Sequence, residues 1–423
     1  MTDALRVPAE YREFAKIEDP DIIERLEKWK NNSIETLQRL QTRVQQAQTS
    51  LSIKETADIV AAVTPLSGAG NWVSDASHAY AHAILQELKV PEPTQSLVAH
   101  ILLHNVKPVF RANAHPSINP QTGRKLPRPA GGPQATQDLY DSQTWKDHPG
   151  VDLTVLWCVQ HIPTNAYDEV WHLVVPPLMT LLDDYEAQYK LAGVRIAAAM
   201  LDSVPGSLLK RTGVGSLLLE ALNRSILVLD SPETPILLPA AVSASLALIE
   251  LTTTAGSEER FAQLCGILGD SIIGSVWPYS SNRIDALIAS IDALPSIFAV
   301  LSVGCARYFK VLMAQLVYPL APLEHQQTTV ELQIASLRAL TALFRACPQR
   351  IAGWKGTILN GVARCWVDTV ESPSAENDQV RTELKTVCRD LAAVCPTVQQ
   401  EEYPQLLALD QTLFSELIQD TKI

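Results

Sequence analysis

Apolar side chains recur along this chain with helical spacing, and the period is most regular between Ala166 and Pro205. Val170, Val174, Leu178, Leu181 and Leu182 fall on one helical face and mark a buried stripe. Ala187, Leu191, Val194, Ala198 and Leu201 make a second. Between the stripes stands Asp183-Asp184, which ends the first helix and places Asp184 to cap the start of the next. Pro176-Pro177 cannot donate the backbone hydrogen bonds of a straight helix, so a bend or restart is expected there.

A proline-bent helix, an aspartate at the turn and a cation early in the next helix (here Tyr189-Lys190) outline a HEAT-type repeat. Two such helices cannot bury both faces alone, so the unit implies neighbours of its own kind, with Lys190 supporting the adjacent repeat electrostatically. From Val151 onward further stripes follow, and the second helices of the pairs fall near 187–203, 235–252, 283–301, 328–346 and 376–395. Their centres recur about every 45 to 50 residues, close to the period of roughly 40 to 47 expected of such repeats. Proline punctuates the same places, and no window alternates with the period of two that a sheet requires. The pattern predicts an all-α fold, an α-solenoid of HEAT-like helical repeats.

The first part of the chain is helical by the same test. Asp19-Pro20 opens a helix whose face carries Ile22, Leu26 and Trp29. Asn31-Asn32 is expected to interrupt it, with Asn32 and Glu35 forming a capping box that restarts it. Helices near Thr56–Val63, Asp75–Leu88 and Pro93–Arg111 follow. From Asn113 to Gly150 no stripe can be drawn, and the run NAHPSINPQTGRKLPRPAGGPQ carries five prolines and three glycines. The expected organisation is therefore an N-terminal helical region (1–112), a Pro/Gly-rich basic loop (113–150) and a repeat array with an acidic C-terminal part (151–423). Arg124, Lys125 and Arg128 in the loop could meet an acidic partner or a phosphate, although composition favours a solvated linker.

Composition narrows the function classes. Apolar residues make up 47% of the chain and charged residues 19%, which suits a folded, core-rich protein. The net charge of −12 argues against nucleic acid as a partner. It is unevenly spread: eleven acidic and four basic residues lie from Asp368 to the end, whereas Pro93 to Gln137 holds five basic residues and no acidic one. No uninterrupted apolar run of 18 residues occurs, so no membrane span is expected, and the first residues lack a signal-like apolar segment. Seven dispersed cysteines without a CxxC pair read as reduced, buried thiols of a cytoplasmic or nuclear protein.

Catalytic patterns are sparse. His78 and His82 stand one helical turn apart, as do His100 and His104, the spacing of two metal ligands on one face. The metalloprotease form needs Glu after the first His, where this chain has Ala79 and Ile101. A zinc site would need the two pairs to converge. There is no GxSxG elbow and no phosphate-binding loop, and Gly68 and Gly70 read as a turn. No enzyme, cofactor or metal is expected. Aromatic and cationic residues do cluster in the C-terminal half, as at interface hot spots. Trp277, Tyr279, Arg307, Trp354, Lys355, Arg364 and Trp366 are the candidate partner-binding residues.

The runs WHLVVPPLMTLLDDYEAQYKLAGVRIAAAML, LLKRTGVGSLLLEAL, ILGDSIIGSVWPYS, SVGCARYFKVLMAQLVYPL and WKGTILNGVARCWV resemble the Tel-two-interacting protein two family, in a fungal version. The resemblance spans about Pro116 to Trp366. It implies a non-enzymatic helical scaffold subunit of the triple-T complex, bound to Tel-two-interacting protein one and Tel-two. That complex acts as a cochaperone with the ninety-kilodalton heat-shock chaperone and its ATPase adaptor. Its clients are the phosphatidylinositol-3-kinase-related kinases, which links it to the DNA damage response, TOR signalling and telomere maintenance. The alternative is a HEAT-repeat adaptor or transport receptor of another pathway.

Overall fold

The protein is described by a computed structural model covering residues 2–46, 51–88, 94–112, 115–130, 143–280, 282–321, 328–372 and 374–418. Residues 131–142 of the expected loop lie outside the described residues. Every regular element among the described residues is helical, and the lone β-feature is one antiparallel bridge between Ile118 and Lys125. The expected all-α architecture of stacked helical pairs is what the chain forms. It divides into two compact units, Met1–Leu222 and Asn223–Ile423.

In the first unit, helix Pro20–Gln46 packs on Asp75–Glu87, and Ile53–Val63 packs on Thr94–Ile101. The expected break at Asn31-Asn32 does not occur: Pro20–Gln46 runs unbroken for 27 residues. Its buried stripe, Leu26, Ser33, Leu37, Leu40 and Val44, stays in phase across the asparagines. Two asparagines cost a helix a few tenths of a kcal/mol each, whereas each buried leucine contributes about 1.5–3 kcal/mol, so packing wins. Where a break is wanted, it is built. Ser52 and Glu55 form a reciprocal capping box at one helix start, and Ser74 and Ser77 form another.

The helix Tyr167–Leu182 continues through Pro176-Pro177 and packs on Ala187–Leu201, which also packs against Val151–Gln160. Gly193 permits this approach, because a β-carbon there would lie 2.7 Å from the backbone nitrogen of Leu182. Side chains also reach from one repeat to the next. Gln41 donates to Glu87, 46 residues on. That separation is the repeat period written as a hydrogen bond.

In the second unit, helices Thr234–Thr252, Ile284–Asp292, Val330–Ala346 and Ala375–Val394 form a row, each packed on the next. These are the second helices that the spacing predicts. Thr329 caps Val330–Ala346 and Ser374 caps Ala375–Val394. An ion-pair ladder runs along the row: Arg338 meets Glu383 at 2.8 Å and Arg345 meets Asp390 at 3.0 Å, each 45 residues apart. Two stretches, Thr234–Thr252 and Ile284–Leu320, are long and apolar enough by composition to cross a membrane. About half of each such window, 56% and 50%, is buried within the fold.

Candidate interaction surface

The residues singled out in the C-terminal half take different positions. Trp277 follows a π-helical stretch, Gly266–Val276, and its indole N–H donates to Ser290 Oγ at 3.1 Å. Two residues on, Tyr279 is 76% exposed. Arg307 is exposed beside the Tyr308 ring, while Trp354 is half-buried with its ring 6.1 Å from that of Phe309. Lys355 is engaged by both Glu401 and Glu402, which push its ammonium pKa up by hydrogen bonding. Arg364 is exposed. Trp366 is fully buried and donates its indole N–H to the Leu413 carbonyl at 2.8 Å. The structure thus corrects two of these assignments: Trp366 and Lys355 fasten the helices Glu402–Leu409 and Gln411–Ile418 to the array. What remains open to a partner is Tyr279, Arg307, Arg364 and the half-buried faces of Trp277 and Trp354.

The most elaborate polar arrangement lies in the first unit, around Asp183-Asp184. Lys146 has a fully buried ammonium that donates to Asp184 Oδ1 at 3.0 Å and to Glu186 Oε1 at 2.5 Å. Gln143 donates to Asp184 Oδ2 at 2.6 Å, and the rings of Trp145, Tyr185 and Tyr189 surround the ammonium at 4.3–5.4 Å. Burial works against the Glu186 carboxylate, but hydrogen bonds from Lys146 and Gln188 outweigh it and hold its pKa below the usual value. Asp183 is met by His115 Nε2 at 2.8 Å. The other ring nitrogen of His115 accepts the Ser117 N–H, so a neutral ring carries its proton on Nε2 and donates it to Asp183.

Asp184 therefore does not cap the next helix as expected. Glu186 occupies that cap without a side-chain bond, and Asp184 instead accepts the Glu186 N–H at 2.8 Å. Lys190 turns back to the Leu182 carbonyl, closing the end of the preceding helix.

Nor are the described residues of the expected loop a solvated linker. Residues 115–130 form a small closed hairpin in which Asn119 bonds Arg124 and Leu126 bonds Ser117. Its turn places Gly123 at φ +65° against Trp171, a position where a side chain would be strained and crowded. Lys125 N–H donates to the Thr212 carbonyl, and its ammonium donates to Ser216 Oγ. This docking is not legible in the sequence because each partner lies tens of residues away, beyond the reach of a local pattern.

The histidine pairs stay as pairs. The rings of His78 and His82 lie 6.1 Å apart and those of His100 and His104 4.3 Å apart. Among the described residues no group of three or more His, Cys, Asp or Glu side chains is arranged to hold a metal ion. All seven cysteines are buried free thiols. Burial pushes Cys305, Cys365 and Cys388 up to about 12, which keeps them protonated and poorly nucleophilic.

Comparison with known proteins places this architecture. The chain is similar in fold to Kap121p, as seen in a crystal structure of Kap121p bound to Pho4p. The TM-score is 0.51 and the identity 11%, and the likeness covers 96% of this chain but 37% of that one. The likeness supports the reading of an α-solenoid of helical repeats. No curated protein gives a significant match. The model of the Tti2 family matches residues 58–322, which takes in the Lys146–Asp184 cluster, the docked hairpin and the first repeats of the second unit. On that match, which extends over more than half of its length, the chain belongs to the Tti2 family.

Proposed function

We propose that this protein is a non-enzymatic scaffold subunit of the triple-T cochaperone complex. In this reading it binds Tel-two-interacting protein one and Tel-two, and supports the folding and stability of phosphatidylinositol-3-kinase-related kinases. The carrying observation is the Tti2 family match over residues 58–322, which supports a place in the triple-T complex. Of the finer steps, cooperation with the ninety-kilodalton heat-shock chaperone follows from the resemblance, and work in both cytoplasm and nucleus from the reading of the seven cysteines as reduced thiols. A repeat array suits the role, since stacked helical pairs present long surfaces at small cost in loop entropy. The likeness to Kap121p reaches the fold alone and does not favour a transport role.

Affinity purification of the tagged chain from its own cells tests the reading. Both other triple-T subunits should be recovered, and depletion of the chain should lower the abundance of the kinases. Recovery of neither subunit would sink the proposal.

A further inference from the structure

Where hairpin residues Pro120 and Gln121 meet the helices Lys107–Phe110 and Tyr167–Leu182, the first unit holds a cleft of about 350 Å³. Phe110, Leu173, Pro176 and Pro177 give it apolar walls, and Lys107, Arg111 and His172 add positive or ionisable nitrogen. Among the described residues no carboxylate lines it. The surrounding sequence repeats that bias, with five basic and no acidic residues from Pro93 to Gln137 in a chain of net charge −12. Lys107 and Arg111 are exposed. Glu169, one turn before His172 on the same helix, is occupied by the Gln95 amide.

The cleft thus sets an apolar socket beside two exposed cations. A polyanion such as nucleic acid would use the cations and leave the socket unfilled. A protein segment with an apolar anchor between carboxylates would use both.

We propose that this cleft docks an acidic segment of a partner protein, with one bulky apolar side chain in the socket and flanking carboxylates on Lys107 and Arg111. The proposal rests on the geometry of this unit and stands apart from the identity of the complex. Random dodecapeptides displayed on phage, selected on the full chain and counter-selected on the Lys107→Glu/Arg111→Glu variant, test it. The expected consensus places Asp or Glu around Trp, Phe or Leu. Binding of the synthetic consensus peptide should weaken with salt. It should also fall about tenfold or more in Gln121→Trp, which fills the cleft and leaves its charges in place. Both variants replace exposed side chains, and their circular dichroism should match the parent. A consensus without carboxylates, no enrichment over the counter-selection, full binding to Gln121→Trp, or equal displacement by a single-stranded oligonucleotide would each overturn the proposal.

Discussion

Both units use a cation on a carboxylate to fasten distant parts of the chain together, but they set the pair in opposite surroundings. In the second unit Arg338–Glu383 and Arg345–Asp390 lie on the surface, with the arginine side chains 52% and 72% exposed. In the first unit Lys146 and Asp184 are fully buried and wrapped by three aromatic rings. Exposed pairs contribute about 0–1 kcal/mol, because water and salt screen them. A buried pair contributes little net stability over an apolar replacement, yet breaking it leaves an uncompensated charge at a cost of about 3–5 kcal/mol. The lesson is that the surface ladder is a tolerant joint, whereas the buried cluster is a specific one. It holds the 143–147 segment against the helix turn at Asp183–Glu186 in one geometry.

Breaking that comparison starts with Lys146→Met. It strips Asp184 of its counter-charge and should cost about 3–5 kcal/mol in chemical denaturation. Adding Asp184→Asn should recover part of the loss. Trp366→Ala should cost a similar amount, about 3–5 kcal/mol, and release the C-terminal helices, which hydrogen exchange would register. Gly193→Ala comes next. A β-carbon 2.7 Å from the Leu182 nitrogen must force the two helices apart, for a loss of about 1–3 kcal/mol read from the thermal midpoint.

Acid should loosen the first unit further. The Glu186 pKa is depressed on folding, so its contribution is present above the unfolded value and is lost as pH falls through the lower folded value. Tryptophan fluorescence from Trp145 should therefore begin to change below about pH 4, the ordinary carboxylate range. The smallest effect belongs to the surface ladder. Arg338→Ala should change stability by less than about 1 kcal/mol, and high salt should erase the difference.

What could be read from the sequence follows from the range of each interaction. The row of helices in the second unit was legible because a stripe is a local pattern, with each residue three or four positions from the next. Lys146 was not. Nothing within several residues marks it as buried, and its partner is 38 residues away. Asp183-Asp184 stands out locally as a cap, but its distant partners, His115, Gln143 and Lys146, sit in a segment whose prolines suggest a linker. The Asn31-Asn32 break failed for the opposite reason: a weak local preference yielded to an apolar face continuing on both sides. Trp366 and Lys355 misled because interface chemistry and repeat-joining chemistry use the same residue types, and only burial and partners tell them apart.

The central claim, that this chain works by holding other proteins, is tested most directly with purified components. Sedimentation velocity of the full chain mixed with Tel-two-interacting protein one and Tel-two should show one stoichiometric species, heavier than any pair. If the chain sediments at its own mass while the other two subunits associate without it, the account is contradicted.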